Sequence, residues 1–91
     1  MAKKKIWEVV LTRPANKVYE KSNVTMLKRL DNCFEELEKN PLYGNNIRPL
    51  TGELKGLMRY RVGDWRVIYR ISDDEDIVEI IAILPRGKAY K

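Results

Sequence analysis

The sequence predicts an α+β fold, in which a small antiparallel, twisted sheet of about four strands carries an N-terminal helical hairpin on one face. Three observations support this prediction: strand-like segments near both ends of the chain, an apolar stripe with helical spacing between them, and a two-residue turn at Gly63-Asp64. We expect a single domain over residues 1–91, because a chain of this length buries only about 60–65% of its unfolded surface.

The N-terminal part of the chain predicts one strand followed by a short helix. Residues 6–11 have the alternation of a strand, which we place first in the sheet. Pro14 suits the first turn of a helix, because that turn does not need its backbone N–H. Ser22-Asn23 then ends the short helix, so that a helical hairpin begins here.

A longer helix is predicted between Asn23 and Asn40, where apolar side chains recur three and four residues apart. The stripe comprises Val24, Leu27, Leu30, Phe34 and Leu37, with Met26 and Cys33 beside it. We expect this stripe to cover the sheet. The charged residues fall mostly on the opposite side and are interpreted as a solvated face: Lys28, Arg29, Glu35, Glu36, Glu38 and Lys39.

Residues 58–71 predict a β-hairpin with the turn Gly63-Asp64. In this register Arg61 lies opposite Arg66, and side chains alternate between the two faces. Apolar and aromatic residues occupy one face, and arginines share the other: Arg59, Arg61, Arg66 and Arg70. Like charges on opposed strands are destabilising, and the hairpin strands contain no carboxylate. The patch therefore favours an anion, above all a phosphodiester, because the guanidinium fork fits phosphate oxygens.

The alternative is that these arginines only solvate the outward face of an antiparallel sheet. Lysine, glutamate and threonine would serve there equally well, so arginines without an interleaved acid favour an anion site.

The polar connection over residues 42–56 has no sustained period, and Arg48 and Lys55 are expected to reach the basic face from it. Residues 76–84 are rich in isoleucine and valine and predict a central strand that pairs with the hairpin.

Composition narrows the classes of partner and chemistry. The chain has 18 basic and 13 acidic residues, and its formal charge of +5 favours a polyanion. It has no histidine, which removes the usual general base and the commonest zinc ligand. Its single cysteine, Cys33, cannot form an internal disulfide and is predicted to be a small core residue. No segment is long and apolar enough to cross a membrane, so a cytoplasmic protein is expected.

The order of elements and several segments resemble the RelE/ParE toxins of bacterial and archaeal type II toxin-antitoxin systems. The resemblance covers nearly the whole chain and is carried by ELEKNP, LTGELKGLMRYRV, GDWRVIYRI and a terminal Arg-x-x-x-Tyr. The basic strand together with Arg86 and Tyr90 favours the RelE-like branch. This resemblance implies an endoribonuclease that cuts mRNA in the ribosomal A site by attack of a 2′-hydroxyl on the adjacent phosphate. It also implies a cognate antitoxin, and neither a metal nor a cofactor.

The same resemblance implies roles for individual residues. It gives Arg66 the stabilisation of the phosphate, Arg86 the general acid and Tyr90 the stacking or orientation of the nucleotide, and these three join Arg61 as catalytic candidates. RNA-binding roles are expected for Arg59, Lys55, Arg48 and Lys88.

The resemblance does not assign the general base to one residue of this chain. Relatives often carry lysines at the paired basic positions, whereas this chain has Arg59 and Arg61, whose guanidinium groups stay protonated. Either Tyr90 or Lys55 accepts the proton, or the arginines act through charge alone. Relatives also often place a histidine where this chain has Pro85.

Two other functions fit the same residues. A toxin of the ParE kind would inhibit DNA gyrase and would not depend on Tyr90. A non-catalytic RNA- or ribosome-binding module would lose affinity gradually as arginines are removed.

Overall fold

The fold is a five-stranded mixed sheet with two helices packed on one face, in a computed structural model that describes residues 6–86. The strand order across the sheet is β1-β5-β4-β3-β2. In chain order the elements are β1 (Glu8–Leu11), α1 (Arg13–Lys21), α2 (Val24–Lys39), β2 (Ile47–Pro49), a short 3₁₀ helix (Gly52–Leu54), β3 (Met58–Val62), β4 (Trp65–Ser72) and β5 (Ile77–Pro85).

The α+β prediction is confirmed, with two differences in the sheet. β2 lies within the connection over residues 42–56 and pairs antiparallel with β3, which brings the strand count to five. A strand of only three residues carries no periodic signal in the sequence. β1 pairs parallel with β5 rather than antiparallel. Alternation reveals which face a side chain occupies, but it does not reveal strand direction.

Side-chain caps define the helical hairpin. The Thr12 side chain accepts a hydrogen bond from the Ala15 N–H at the start of α1 and donates to the Ile81 carbonyl at 2.8 Å, which ties the helix to β5. Asn23 caps α2 by accepting from the Met26 N–H at 2.8 Å. The predicted break at Ser22-Asn23 is therefore confirmed. Among residues 6–86, no helix has the length and apolarity to span a membrane.

The main core lies between α2 and the sheet. Leu30, Cys33 and Leu37 of α2 are fully buried against apolar side chains of the sheet, as the stripe predicts. Val24 is an exception: this first residue of α2 is 69% exposed, whereas Met26, also in the first turn, packs against the core. Trp7, just before β1, contributes to the core. From the sheet, the core receives Tyr60, Val62, Val67, Tyr69, Val78, Ile80 and Ile83.

The opposite face of the sheet is partly covered. A second apolar cluster there is built around buried Leu50 and Ile68. Partly buried apolar side chains surround this pair: Leu54, Leu57, Ala82 and Leu84. Part of the connection 42–56, including the 3₁₀ helix, therefore packs on the face that the sequence predicts to be solvated.

One buried hydrogen bond joins the sheet to the end of α2. The Tyr69 hydroxyl donates to the Pro41 carbonyl at 2.7 Å, and Tyr69 is fully buried. Tyr69→Phe should lower the free energy of unfolding by about 1–2 kcal/mol, because the buried carbonyl loses its partner. Urea denaturation measures the loss. Tyr43→Phe is the matched control, since Tyr43 is 78% exposed, and equal stabilities of the two variants would contradict this assignment.

Candidate nucleic-acid interface

The hairpin has the predicted register. Arg61 pairs with Arg66 and Val62 with Trp65 across the turn Gly63-Asp64. Gly63 has a φ of 57°, and a positive φ at the first central residue is typical of a primed turn that matches strand twist. The two arginines are therefore held side by side at the end of the hairpin.

A first cleft of about 680 Å³ opens beside this end of the hairpin. β2 pairs only with residues 58–60 of β3, so the last residues of β3 lie beyond it. The basic side chains lining this cleft come from four elements or their ends: Arg29 of α2, Arg61 of β3, Arg66 of β4 and Arg86 after β5. The Arg86 N–H donates to the Asp64 carbonyl at 2.8 Å, which ties the end of β5 to the turn.

Arg66 is the best-anchored of these arginines. It is only 8% exposed, and its Nη1 donates to the Gly63 and Trp65 carbonyls, each at 2.9 Å. Its Nε is buried and has no hydrogen-bond partner within residues 6–86. A buried guanidinium without a carboxylate is costly, and an anion bound there would offset that cost.

A second cleft of about 470 Å³ adjoins the first at Arg66. Arg48 of β2 and Arg59 of β3 line it together with Arg66. Arg59 Nη1 donates to the Asn46 carbonyl at 2.9 Å, and the same carbonyl accepts the Arg61 N–H at 2.9 Å. Because Arg66 lines both clefts, they form one continuous surface, which we call the basic groove.

The positive charges of the basic groove are not neutralised by carboxylates within the described residues. Within residues 6–86, its arginines form no ion pair with a carboxylate. Arg70 differs, since it forms an ion pair with Glu79 of β5 at 2.8 Å. The prediction that four arginines share one unneutralised patch is therefore wrong for Arg70. Its acid comes from β5, the neighbouring strand, and lies outside the hairpin on which that prediction depends.

The remaining predicted site residues divide into two groups. Lys55 is exposed on the connection before β3 and lines neither cleft, so the structure does not bring it to the arginines. Lys88 and Tyr90 lie outside the described residues. The structure thus brings together Arg61, Arg66 and Arg86 in the first cleft, and Arg48 and Arg59 in the second.

Several lining residues are not predicted from the sequence. Arg29 and Asn32 of α2 line the first cleft, although the charged side of α2 is predicted to be a solvated face. Asn46 and Tyr60 also line it. The spacing of Arg29 and Asn32 places both on one side of α2, but only the packing of α2 against the hairpin shows that this side borders the cleft.

Two buried acidic groups near the cleft stay protonated at neutral pH. Burial raises the pKa of Tyr60 to about 12, with a smaller contribution from the nearby Glu36 carboxylate, while Asn46 acts in the opposite direction. Burial also raises the pKa of the Cys33 thiol well above its usual range. Tyr60 is therefore a poor proton acceptor, and Cys33 is a core residue, as predicted, rather than a nucleophile.

The sheet and the helical hairpin together correspond to the fold of a known class of small toxins. Residues 9–90 match the sequence model of the family described as the ParE toxin of type II toxin-antitoxin systems. This match spans most of the chain, and the chain therefore belongs to the RelE/ParE family of type II toxins.

Individual relatives agree with this membership. The chain is 44% identical to Toxin RelE of Mycobacterium tuberculosis over 54 residues, a match that spans 56% of this chain and 56% of that relative. A chain of the RelBE2 toxin-antitoxin complex of the same organism is similar to this chain, with a TM-score of 0.77 and 28% identity, and the match covers 89% of this chain and 99% of that one. The archaeal RelE-RelB complex from Pyrococcus horikoshii gives a TM-score of 0.78 and 26% identity, covering 92% and 99%.

Tyr60 makes stability depend on pH in the alkaline range. Its phenol keeps its proton up to about pH 12 in the folded protein, whereas the ordinary value is 10.0. The stabilisation is therefore complete below pH 10.0 and is lost as the pH rises through about 12. Urea denaturation at increasing pH should show a shallower decline for Tyr60→Phe than for the wild type. Parallel declines in the two proteins would contradict the raised pKa.

Proposed function

We propose that this toxin is a ribosome-dependent endoribonuclease that cleaves mRNA in the A site, in the cytoplasm where translation occurs. The observation that carries the proposal is the convergence of Arg61, Arg66 and Arg86 on one cleft without a carboxylate partner among residues 6–86. Guanidinium groups bind phosphate oxygens through paired hydrogen bonds. A single cleft with several of them suits a phosphodiester that gains negative charge during reaction.

The proposed reaction transfers one phosphoryl group within the RNA. The ribose 2′-oxygen attacks the adjacent phosphorus and forms a new P–O bond. The bond between phosphorus and the 5′-oxygen of the next nucleotide breaks, and a 2′,3′-cyclic phosphate remains. The proton lost by the 2′-hydroxyl goes to a base, and the leaving 5′-oxygen gains a proton. Arg66 stabilises the charge on the phosphorane-like transition state, because two carbonyls hold it in place before the substrate binds. Arg86, tied to the hairpin turn, is the proposed donor to the leaving oxygen.

Two candidate proton acceptors, Tyr60 and Lys55, are disfavoured by the structure. Tyr60 is a poor acceptor because burial keeps its phenol protonated. Lys55 lines neither cleft. Tyr90 and catalysis through charge alone are the two possibilities that follow from the sequence. Asp64 is the one carboxylate among the described residues that lines the first cleft, so Asp64→Asn belongs in the variant series.

Cleavage by the purified protein tests the proposal directly. The protein is incubated with translating ribosomes, and the mRNA ends and their terminal phosphates are mapped. Arg61→Ala and Arg86→Ala should lower the cleavage rate by about 10²–10⁴-fold, the usual loss when acid-base or charge stabilisation is removed. Arg70→Ala is the matched control, because it removes the same charge from the same hairpin but lies in the Arg70–Glu79 ion pair.

Other outcomes would replace the proposal. If Arg61→Ala and Arg70→Ala cleave equally well, the first cleft is not the active site. If RNA binds but no wild-type cleavage occurs, and affinity falls gradually with each arginine removed, the protein is a binding module.

The family description favours a second candidate, a gyrase inhibitor of the ParE kind. That toxin would trap cleaved DNA with purified gyrase and leave mRNA intact.

We also propose that a cognate antitoxin binds the basic groove. The similar structures include the RelBE2 toxin-antitoxin complex and the archaeal RelE-RelB complex, and the groove carries positive charge that no carboxylate within residues 6–86 neutralises. An antitoxin segment with acidic side chains is therefore expected to cover Arg59, Arg61 and Arg66. Co-expression with the product of the neighbouring gene should give a complex that no longer cleaves mRNA. A complex with full cleavage activity would contradict occupation of the groove.

A further inference from the structure

Arg29 and Asn32 form a second wall of the first cleft. They lie three residues apart on α2, and both side chains are exposed. Both line the cleft that also contains Arg61, Arg66 and Arg86. The hairpin and the end of β5 therefore form one side of this cleft, and α2 forms the other. We call Arg29 and Asn32 the α2 wall.

The guanidinium of Arg29 lies next to the glycine in the hairpin turn. A Cβ placed on Gly63 would lie 3.1 Å from Nη1 of Arg29, which is closer than ordinary van der Waals contact. The guanidinium therefore packs directly on the turn whose carbonyl holds Arg66. Within residues 6–86 Arg29 forms no ion pair, although Asp64 lines the same cleft. Arg29 thus adds an unneutralised charge beside those of the hairpin.

Asn32 adds a different kind of recognition group. Its carboxamide carries both hydrogen-bond donors and an acceptor, whereas a guanidinium carries donors only. No hydrogen bond within residues 6–86 engages its side chain, and it is exposed to the cleft. Carboxamides recognise the edges of bases, and adenine in particular, while a guanidinium that contacts a phosphate reads no sequence there. The α2 wall therefore contains one group suited to a phosphate and one suited to a base.

We propose that the α2 wall binds the nucleotide adjacent to the cleaved phosphate of a single-stranded RNA. Arg29 binds its phosphate, and Asn32 contacts its base edge. This inference rests on the proposed function, because it takes the cleaved phosphate to lie at Arg61, Arg66 and Arg86. It adds that α2, and not the hairpin alone, determines how tightly and with what base preference the RNA is held.

Binding of short RNA tests the Arg29 part. Fluorescent single-stranded oligonucleotides are titrated with wild type, Arg29→Gln and Lys28→Gln over a series of salt concentrations. Lys28 is exposed on the same helix and lines neither cleft, so Lys28→Gln makes the same charge change elsewhere. Arg29→Gln should weaken binding about tenfold, the loss expected for a charge-assisted hydrogen bond. It should also reduce the slope of log affinity against log salt by about 0.7.

Base preference tests the Asn32 part. Asn32→Ala is titrated with four oligonucleotides that differ only in the base at one position. It should leave the salt slope unchanged and reduce the differences among the four affinities, because a base contact carries sequence information and a phosphate contact does not. Arg29 and Asn32 are both exposed, so thermal unfolding of the variants should match that of the wild type.

The outcomes separate this inference from the proposed function. Equal affinities and slopes for Arg29→Gln and Lys28→Gln would overturn the role of Arg29, and an unaltered base preference in Asn32→Ala would overturn that of Asn32. If Arg86→Ala abolishes ribosomal cleavage in the same preparation, the proposed function survives that failure. If the wild type never cleaves mRNA while Arg29→Gln loses affinity and slope as expected, the α2 wall stands and the cleavage proposal fails.

Discussion

The candidate site depends on how one buried guanidinium is held. Arg66 Nη1 donates to the Gly63 and Trp65 carbonyls, which belong to the turn and to the first residue of β4. Carbonyl oxygens carry partial charge, so they orient the guanidinium without cancelling its positive charge. A carboxylate partner would have neutralised it, as Glu79 does for Arg70. The hairpin therefore presents an oriented charge that needs little rearrangement when an anion arrives.

Local patterns in the sequence explain much of the fold. The hairpin, its register and the buried stripe of α2 follow from alternation, helical spacing and the turn at Gly63-Asp64. The pairing of β5 with β4 follows from its apolar composition and its place after the hairpin. β2 could not be predicted from the sequence, because its three residues are stabilised by pairing with β3 rather than by their own pattern. The parallel direction of β1 is likewise set by tertiary packing.

Part of the candidate site also follows from local patterns in the sequence, and the rest depends on tertiary packing. Register alone places Arg61 beside Arg66, since both lie within one hairpin. The removal of Arg70 from the patch requires the register between β4 and β5, including the irregularity near Ile68 and Tyr69. The addition of Arg29 requires the contact between α2 and the turn. Charged residues of a helix look alike in the sequence whether they face water or a cleft, and only packing distinguishes them.

The parallel pairing of β1 with β5 has a consequence for the newly made chain. Residues of β1 pair with residues of β5 that are made much later, as in the pair Glu8 and Ile77. During synthesis, β1 therefore has no neighbour in the sheet until the residues of β5 have emerged. Arg86 follows β5 directly, so the last strand and the last described arginine of the cleft are completed together. Such a topology delays assembly of the first cleft until both β1 and the residues that follow β5 have been made.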